Sequence, residues 1–559
     1  QPFVDRQSTD REEWLRLRDG VRSKRLHAAL STPPARASRT NLLVSALNNA
    51  HHGGHLIRSH LLGMRPPPAP ELTSPAAGAH SVTNASNRHD PFWPASSTEF
   101  SVLDYGAMRD GVTMCTQALH LSMQACAAHA QATRQRCTVR FPSGQYVTEP
   151  FSMLSHVWLW LEPGATLTFA TDSNVYPIDP YYEYPSAAAY PPPMHGVQRA
   201  MIHAYNVTDV GIQGGGVIDG RGLYWHFNMR AAAPECRNSR HRACISRLIA
   251  IKTRQPPYII HWVGVDGGEL RRLRIRNPPH GAVRMQYSQQ LRLVQLVFSA
   301  RMPSPTDALL LDSSHDVRVE RCHFMVSGAA VVIASGAGPP GKAVGLPCDH
   351  VAITESKIVG GRGLIISPDN MGGLRHIRCT SLLLNGTSSV PPMGGLQILG
   401  YKSNGGGEVS DVHFENVFGH GLHTAIAIDL AIQPPLPILP VAIHRSKYQA
   451  PPPEPPTQLN HLYFHHVTLK SVLRSFRLVN QGQAVKGLHL MDVDIDELER
   501  QLVRPLKRTR KRSSSQPVSE HVEGTGHNYI CNGAFEGSQH DVMPQLPVRC
   551  LRHQQTTVG

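Results

Sequence analysis

Thr208–Gly220 reads TDVGIQGGGVIDG, and its internal pattern decides how the rest of the chain is read. A polar turn (Thr208, Asp209) leads into an alternating apolar run through Val210 and Ile212. Three glycines break it, and a second short run follows at Val217 and Ile218. Alternation with a period of two turns one face of a strand inward. The same shape recurs as SHVWLWLEPGATL from 155, GGELRRLRIRNPP from 267, SQQLRLVQLVFSA from 288 and HDVRVERCHFMVS from 315. It continues as DHVAITESKIVGG from 349, RHIRCTSLLLNGT from 375, SDVHFENVFGHG from 410, NHLYFHHVTLKS from 460 and KGLHLMDVDIDEL from 486. The closest starts lie 21, 26 and 27 residues apart, and wider gaps read as loops inserted in one turn. Recurrence on this scale marks a solenoid in which each coil buries its apolar residues on its neighbours. Without leucine-rich or helical repeat patterns, the spacing predicts an all-β, right-handed parallel β-helix; a jelly roll or propeller is the competing arrangement.

The chain around these repeats has 559 residues, 41 % hydrophobic and 17 % charged, a composition that suits a folded protein rather than a disordered one. Lysine and arginine number 55 against 41 acidic residues, giving a formal charge of +14, and arginine outnumbers lysine 45 to 10. That balance favours anionic partners, whether acidic polysaccharide, nucleic acid or an anionic surface. No run of about 18 apolar residues occurs, so no membrane span is expected. Ten cysteines contain no CxxC pair, which argues against a zinc site and leaves disulfides open, with Cys236/Cys244 and Cys531/Cys550 as the expected local pairs. Asn84-Ala-Ser, Asn206-Val-Thr and Asn385-Gly-Thr fit the N-glycosylation triplet. The opening Gln1-Pro2-Phe3, without Met, leads us to expect a removed leader, and hence an organellar (mitochondrial) or a secreted location.

Composition divides the chain. Residues 1–98 form a basic extension rich in Pro, Ala and Ser, with a charged helix expected after the capping-box pattern Thr9-Asp-Arg-Glu12. Residues 99–550 carry the repeats, interrupted by a Pro-rich insertion at 433–458 and a basic loop at 503–524; residues 551–559 are a tail. Within the basic loop, Lys507, Arg508, Arg510, Lys511 and Arg512 make a dense cationic run, read either as a solvated loop or as a phosphate-binding one.

From about Phe100 to Cys550 the order of segments resembles the polygalacturonases and related pectinases of glycoside hydrolase family 28. FSVLDYGAMRDGVTMCTQALHLSMQAC resembles the family's opening strand, Asp-Gly turn and capping helix. AYNVTDVGIQGGGVIDGRGLYW resembles its Gly-Gly-Gly-x-Ile-Asp-Gly-x-Gly-x-x-Trp turn. The resemblance implies the pectin-lyase-like β-helix and, in active members, inversion by two carboxyl groups, one protonating the leaving oxygen and one activating water. Those groups would come from Asn-Thr-Asp-Gly-x-Asp and Gly-Asp-Asp on adjacent coils, followed by a Gly-His-Gly turn and an Arg-x-Lys pair that grips the substrate carboxylate.

This chain departs from that pattern at almost every functional place. Asp307 falls on the first catalytic aspartate, in Ser304-Pro305-Thr306-Asp307-Ala308, with Asp312 further on. Gly328-Ala329-Ala330 stands at Gly-Asp-Asp, Ala334 at the following lysine, and Gly361-Arg362-Gly363 at Gly-His-Gly. Gln397 and Leu399 take the two basic positions (Ile398 and Gly400 if the register slips by one), with Lys402 displaced towards the groove. A methyl group neither donates nor accepts a proton, so general acid–base catalysis, about 10²–10⁴-fold per group, is expected to be absent. Glu320, Glu355, Asp349 and Asp369 are the carboxylates from which a relocated mechanism would have to draw. Arg362 and Lys402 are the candidate anion-binding residues of the groove.

Histidine pairs such as His51-His52 and His465-His466 lack a ligand set at fixed spacing, so no metal and no cofactor are expected. Three functional expectations follow. The first is a non-catalytic structural subunit of a larger protein assembly, with an organellar ribonucleoprotein such as a mitochondrial ribosome suited to the arginine bias. The second is a secreted protein that binds acidic glycan. The third is a hydrolase with a relocated acid.

Overall fold

The computed structural model describes residues 98–179, 197–225, 256–300, 306–386, 393–401, 406–432, 457–480, 485–498, 530–532, 535–546 and 550–553. They form a right-handed parallel β-helix. A central coil has three strands, as in Gln289–Val294, Val297–Ala300 and Asp307–Asp312, and the next coil repeats them as His315–Glu320, His323–Val326 and Val331–Ala334. Register is strict: Leu291 pairs with Val317, Phe298 with Phe324 and Leu309 with Val331. The first two strands of each coil stack into one large parallel sheet and the third into a second sheet of 11 strands. Towards the C-terminus the first two strands fuse, giving Leu374–Asn385, Glu408–His420, Gln458–Val472 and Val485–Glu497.

The alternation read from the sequence accounts for the core. Val210 and Ile212 point inward, as do Leu291 and Leu293, Val317 and Val319, and Val351 and Ile353, all buried in one continuous apolar column. The three glycines that break Thr208–Gly220 have a packing reason. Gly215 and Gly216 both donate their amides to the Leu161 carbonyl, at 2.9 and 3.1 Å. A Cβ on Gly214, whose φ is +136°, would overlap that same carbonyl, so only glycine allows this approach. Asp219 then ties the corner to the next coil, accepting from Arg276 Nε at 2.7 Å and Asn277 Nδ2 at 3.2 Å.

Each end of the column is held covalently. The helix α1, Thr116–Thr133, buries Ala118, Leu119, Met123, Cys126 and Ala130 on one face against the first coils. Cys126 is disulfide-bonded to Cys137, the first residue of strand Cys137–Phe141. This pair was not anticipated. Cys531 and Cys550 are bonded at the other end, as expected. Cys115, Cys322, Cys348 and Cys379 are buried free thiols, and burial pushes Cys115 up to about 11 and Cys322 and Cys348 up to about 12, which keeps them unreactive.

One irregularity repeats from coil to coil in the large sheet. Gln290, Asp316, His350, His376, Asp411 and His461 all have φ between 52° and 55°, and each lies between paired residues at the same place in its strand. The bulge stacks these six side chains in a row. Among the described residues, no helix is long and apolar enough to cross a membrane. The expected helix at 11–30, Cys236/Cys244, Lys402, the cationic run 507–512 and nearly all of 433–458 lie outside the described residues.

Candidate functional site

The second sheet carries the positions at which the family resemblance places catalysis. Leu309, Val331, Leu364 and Leu396 are paired in register and face the core. Two residues earlier, Asp307, Ala329, Arg362 and Gly394 therefore share one level at the strand entrances. One residue later, Leu310, Val332, Ile365 and Gln397 share a level on the outer face. Asp312, Ala334, Ser367 and Leu399 form the level after that. Ile398 is buried in the core, so Gln397 and Leu399, not Ile398 and Gly400, occupy the outward positions.

At the entrance level the chemistry is closed upon itself. The Asp307 carboxylate accepts from the Ala329 amide at 2.6 Å and from Arg362 Nη2 at 3.2 Å. Gly328 permits this, because a Cβ there would overlap both Asp307 Oδ1 and the Thr306 backbone. Ala329 and Ala330 are fully buried, and Ala330 belongs to the main apolar core. None of Ser327–Ala330 carries a carboxylate, so no slip of one residue restores the missing pair. Gln397 donates its side-chain amide to the Arg362 carbonyl. Arg362 thus pairs with Asp307, the two residues that the resemblance places at the histidine and the first catalytic aspartate.

The far end of the same face holds a polar cluster that the sequence did not reveal. Arg284, fully buried, donates from Nη2 to Asp312 Oδ2 at 3.0 Å, and Asp312 Oδ1 accepts from the Gly336 amide at 3.1 Å and Ser313 Oγ at 3.3 Å. Two coils earlier, His261 lies between Asp179 Oδ2 at 3.1 Å and Gln286 Oε1 at 3.2 Å, and Tyr205 donates to Asp179 Oδ1 at 3.0 Å. Asp369 accepts from the Tyr401 hydroxyl at 3.0 Å. Although Asp369 keeps some exposed surface as a residue, desolvation of its carboxyl pushes its pKa up to about 7. Asp312 adds to the rise, while Tyr401 and Arg284 oppose it.

The raised carboxyl has a testable consequence. Its unfolded-state value lies near 4, so between about pH 4 and pH 7 the folded chain holds a proton that the unfolded chain has released. This contribution to stability is complete below pH 4 and is lost as pH rises through 7. Asp369→Asn keeps the acceptor for Tyr401 and cannot ionise. Its thermal midpoint should rise relative to the parent as pH goes from 4 to 7.5, and a pH-independent difference would show that Asp369 does not titrate in this window.

The remaining candidates do not converge on Asp307. Asp312 lies five residues further along the strand, about 16 Å away at ~3.3 Å per residue. Asp369 sits at that same end, its carbonyl accepting the Ser335 amide at 2.8 Å. Inverting hydrolysis needs carboxyl groups about 6.5–9.5 Å apart, and Asp307 with Asp369 exceeds that span. Glu320 and Glu355 lie on the other sheet, both beside Arg321 at 3.8 and 3.9 Å. Asp349 is also there, held by Arg375 Nε at 2.7 Å.

Comparison with known proteins agrees with this architecture. The profile for glycosyl hydrolases family 28 matches residues 192–434. A protein of Vitis vinifera described as "Probable polygalacturonase" is 25 % identical over 307 residues, which cover 54 % of this chain; the chain spans 58 % of that relative's length. The family 28 exopolygalacturonase of Yersinia enterocolitica superposes with a TM-score of 0.57 at 17 % identity, covering 72 % of each chain. The hyperthermoactive exopolygalacturonase of Thermotoga maritima gives 0.53 at 16 % identity, covering 71 % of this chain and 88 % of its own. The match to the profile of glycosyl hydrolases family 28 lies across the coils that bear Asp307, Ala329 and Arg362, and the similar solved structures share the parallel β-helix.

Proposed function

We propose that this chain is a non-catalytic, polygalacturonase-like β-helix that serves as a structural or interaction subunit of a larger assembly. The observation that carries this reading is the entrance level of the second sheet. Asp307 is engaged by Arg362 and the Ala329 amide, and its neighbours on the next coil are two buried alanines. A lone, ion-paired carboxylate has no partner to act as acid while it acts as base. The basic balance and the arginine bias suit a ribonucleoprotein particle such as an organellar ribosome, since arginine binds phosphate through paired donors.

A second reading, a secreted protein that holds acidic polysaccharide, is favoured by the disulfides Cys126–Cys137 and Cys531–Cys550, which persist in oxidising compartments. Arg362, with its side chain about half exposed, is the groove cation available to such a ligand. Fractionation of the source cells separates the two. Co-sedimentation with RNA-containing particles, lost at high salt, is the result expected of the first reading. Retention on polygalacturonate without release of reducing ends would replace it with the second.

A further inference from the structure

The row of bulge residues on the large sheet places metal-ligating side chains together on a face remote from the catalytic positions. We propose that Asp349, His350 and His376 form a binding site for one divalent transition-metal ion of the Zn²⁺ or Co²⁺ type. His350 Nδ1 and His376 Nδ1 each lie 2.8 Å from the same oxygen, Asp349 Oδ1. All three ligand atoms fall within 4.8 Å of one another. Tetrahedral zinc with bonds of about 2.0–2.1 Å needs ligand atoms about 3.3 Å apart, so the two separations from Asp349 Oδ1 need to open only slightly. Two imidazoles and one carboxylate are a donor set for zinc, cobalt, nickel or copper rather than for magnesium or calcium.

The surroundings meet the other requirements of such a site. Arg375 Nε holds Asp349 Oδ2 at 2.7 Å and so leaves Oδ1 turned towards the two imidazoles, the kind of outer hydrogen bond that orients a ligating carboxylate. The Asp349 side chain is 12 % exposed and therefore fixed, whereas His350 and His376 are 62 % and 46 % exposed and open to an entering ion. Their rings face each other at 4.6 Å. Beside them is a depression of about 320 Å³ where Ala352 presents only a methyl group between Arg318 and Arg378. Asp316 and Asp411 stand at its two sides, paired with His315 at 2.9 Å and His413 at 2.7 Å. With both imidazoles neutral, the three carboxylates Asp316, Asp349 and Asp411 balance Arg318, Arg375 and Arg378, so the cation meets no net positive charge. His350 and His376 belong to successive coils, and an ion between them would staple one coil to the next.

The experiment uses the full chain, stripped of metal, with Co²⁺ as the probe. Titration should show one tight site per chain with a visible absorption band of four-coordinate cobalt. The double variant His350→Ala/His376→Ala should lose the band, while His461→Ala/His489→Ala, on the same face, should keep it. Single substitution His376→Gln, which preserves a hydrogen bond to Asp349, should weaken Co²⁺ by about tenfold or more with an unchanged far-ultraviolet circular dichroism spectrum. Absence of a stoichiometric band in the parent chain, or a band that survives the loss of both histidines, would overturn the proposal.

Discussion

Substitution Asp312→Ala is expected to destabilise the β-helix by about 3–5 kcal/mol, the cost of removing one partner of a buried ion pair. Asp312 is fully buried and accepts three hydrogen bonds, from Arg284, the Gly336 amide and Ser313. Alanine would leave the Arg284 guanidinium charged in the interior. Asp369, near enough to feel both groups, would recover part of the loss by ionising. Replacement of the pair by Arg284→Met/Asp312→Leu should cost much less than the single change, because no uncompensated charge remains. Urea midpoints of the three proteins, read at one pH, measure this difference. Equal losses for the single and double variants would show that the pair is not the unit of stability.

The second large effect concerns Phe324, on the coil that leads to Ala329 and Ala330. Phe324 is fully buried and stacks on Phe298 of the preceding coil, centroids 4.9 Å apart and rings inclined by 3°. Its backbone partners are Phe298 on one side and Ile358 on the other. Truncation to alanine removes the stacked ring and leaves a cavity in a column that cannot close around it, which costs about 3–5 kcal/mol. Phe324→Leu should recover most of that. A loss below about 1 kcal/mol for Phe324→Ala would mean that this coil contributes little to the core. Phe324 is thus packed in the core a few residues before the two buried alanines, Ala329 and Ala330.

How far this was legible in the sequence depends on whether the deciding signal is local. The coils were readable because inward residues such as Val210 and Ile212, or Leu291 and Leu293, alternate within a few positions and end at recognisable turns. The places of Ala329, Ala330 and Arg362 on the resembling pattern are read from their flanking residues, and the strand register turns Gln397 and Leu399 outward and Ile398 and Gly400 inward. Partners brought together only by stacking were not readable. Arg284 and Asp312 are 28 residues apart, on paired strands of successive coils, and Arg284 looks like any other arginine of a basic chain. Cys126 and Cys137 meet because a helix docks on the first strand, a fact of packing rather than of spacing. His350 and His376 share a face because each occupies the left-handed bulge of its coil, and a 26-residue separation matches no metal-binding motif.

Asp307 has structural partners of its own. Its carboxylate caps the Ala329 amide and balances Arg362, which is reason enough for an aspartate at that place. Among the described residues, Asp312 and Asp369 lie at the far end of the strand from Asp307, and Glu320, Glu355 and Asp349 lie towards the other sheet. The most direct measurement is release of reducing ends from polygalacturonate by the purified full chain, across pH 4–7 and over long incubation. No release above a protein-free blank is expected at any pH. Release proportional to protein, and abolished by Asp307→Asn, would contradict it and restore this chain to the hydrolases.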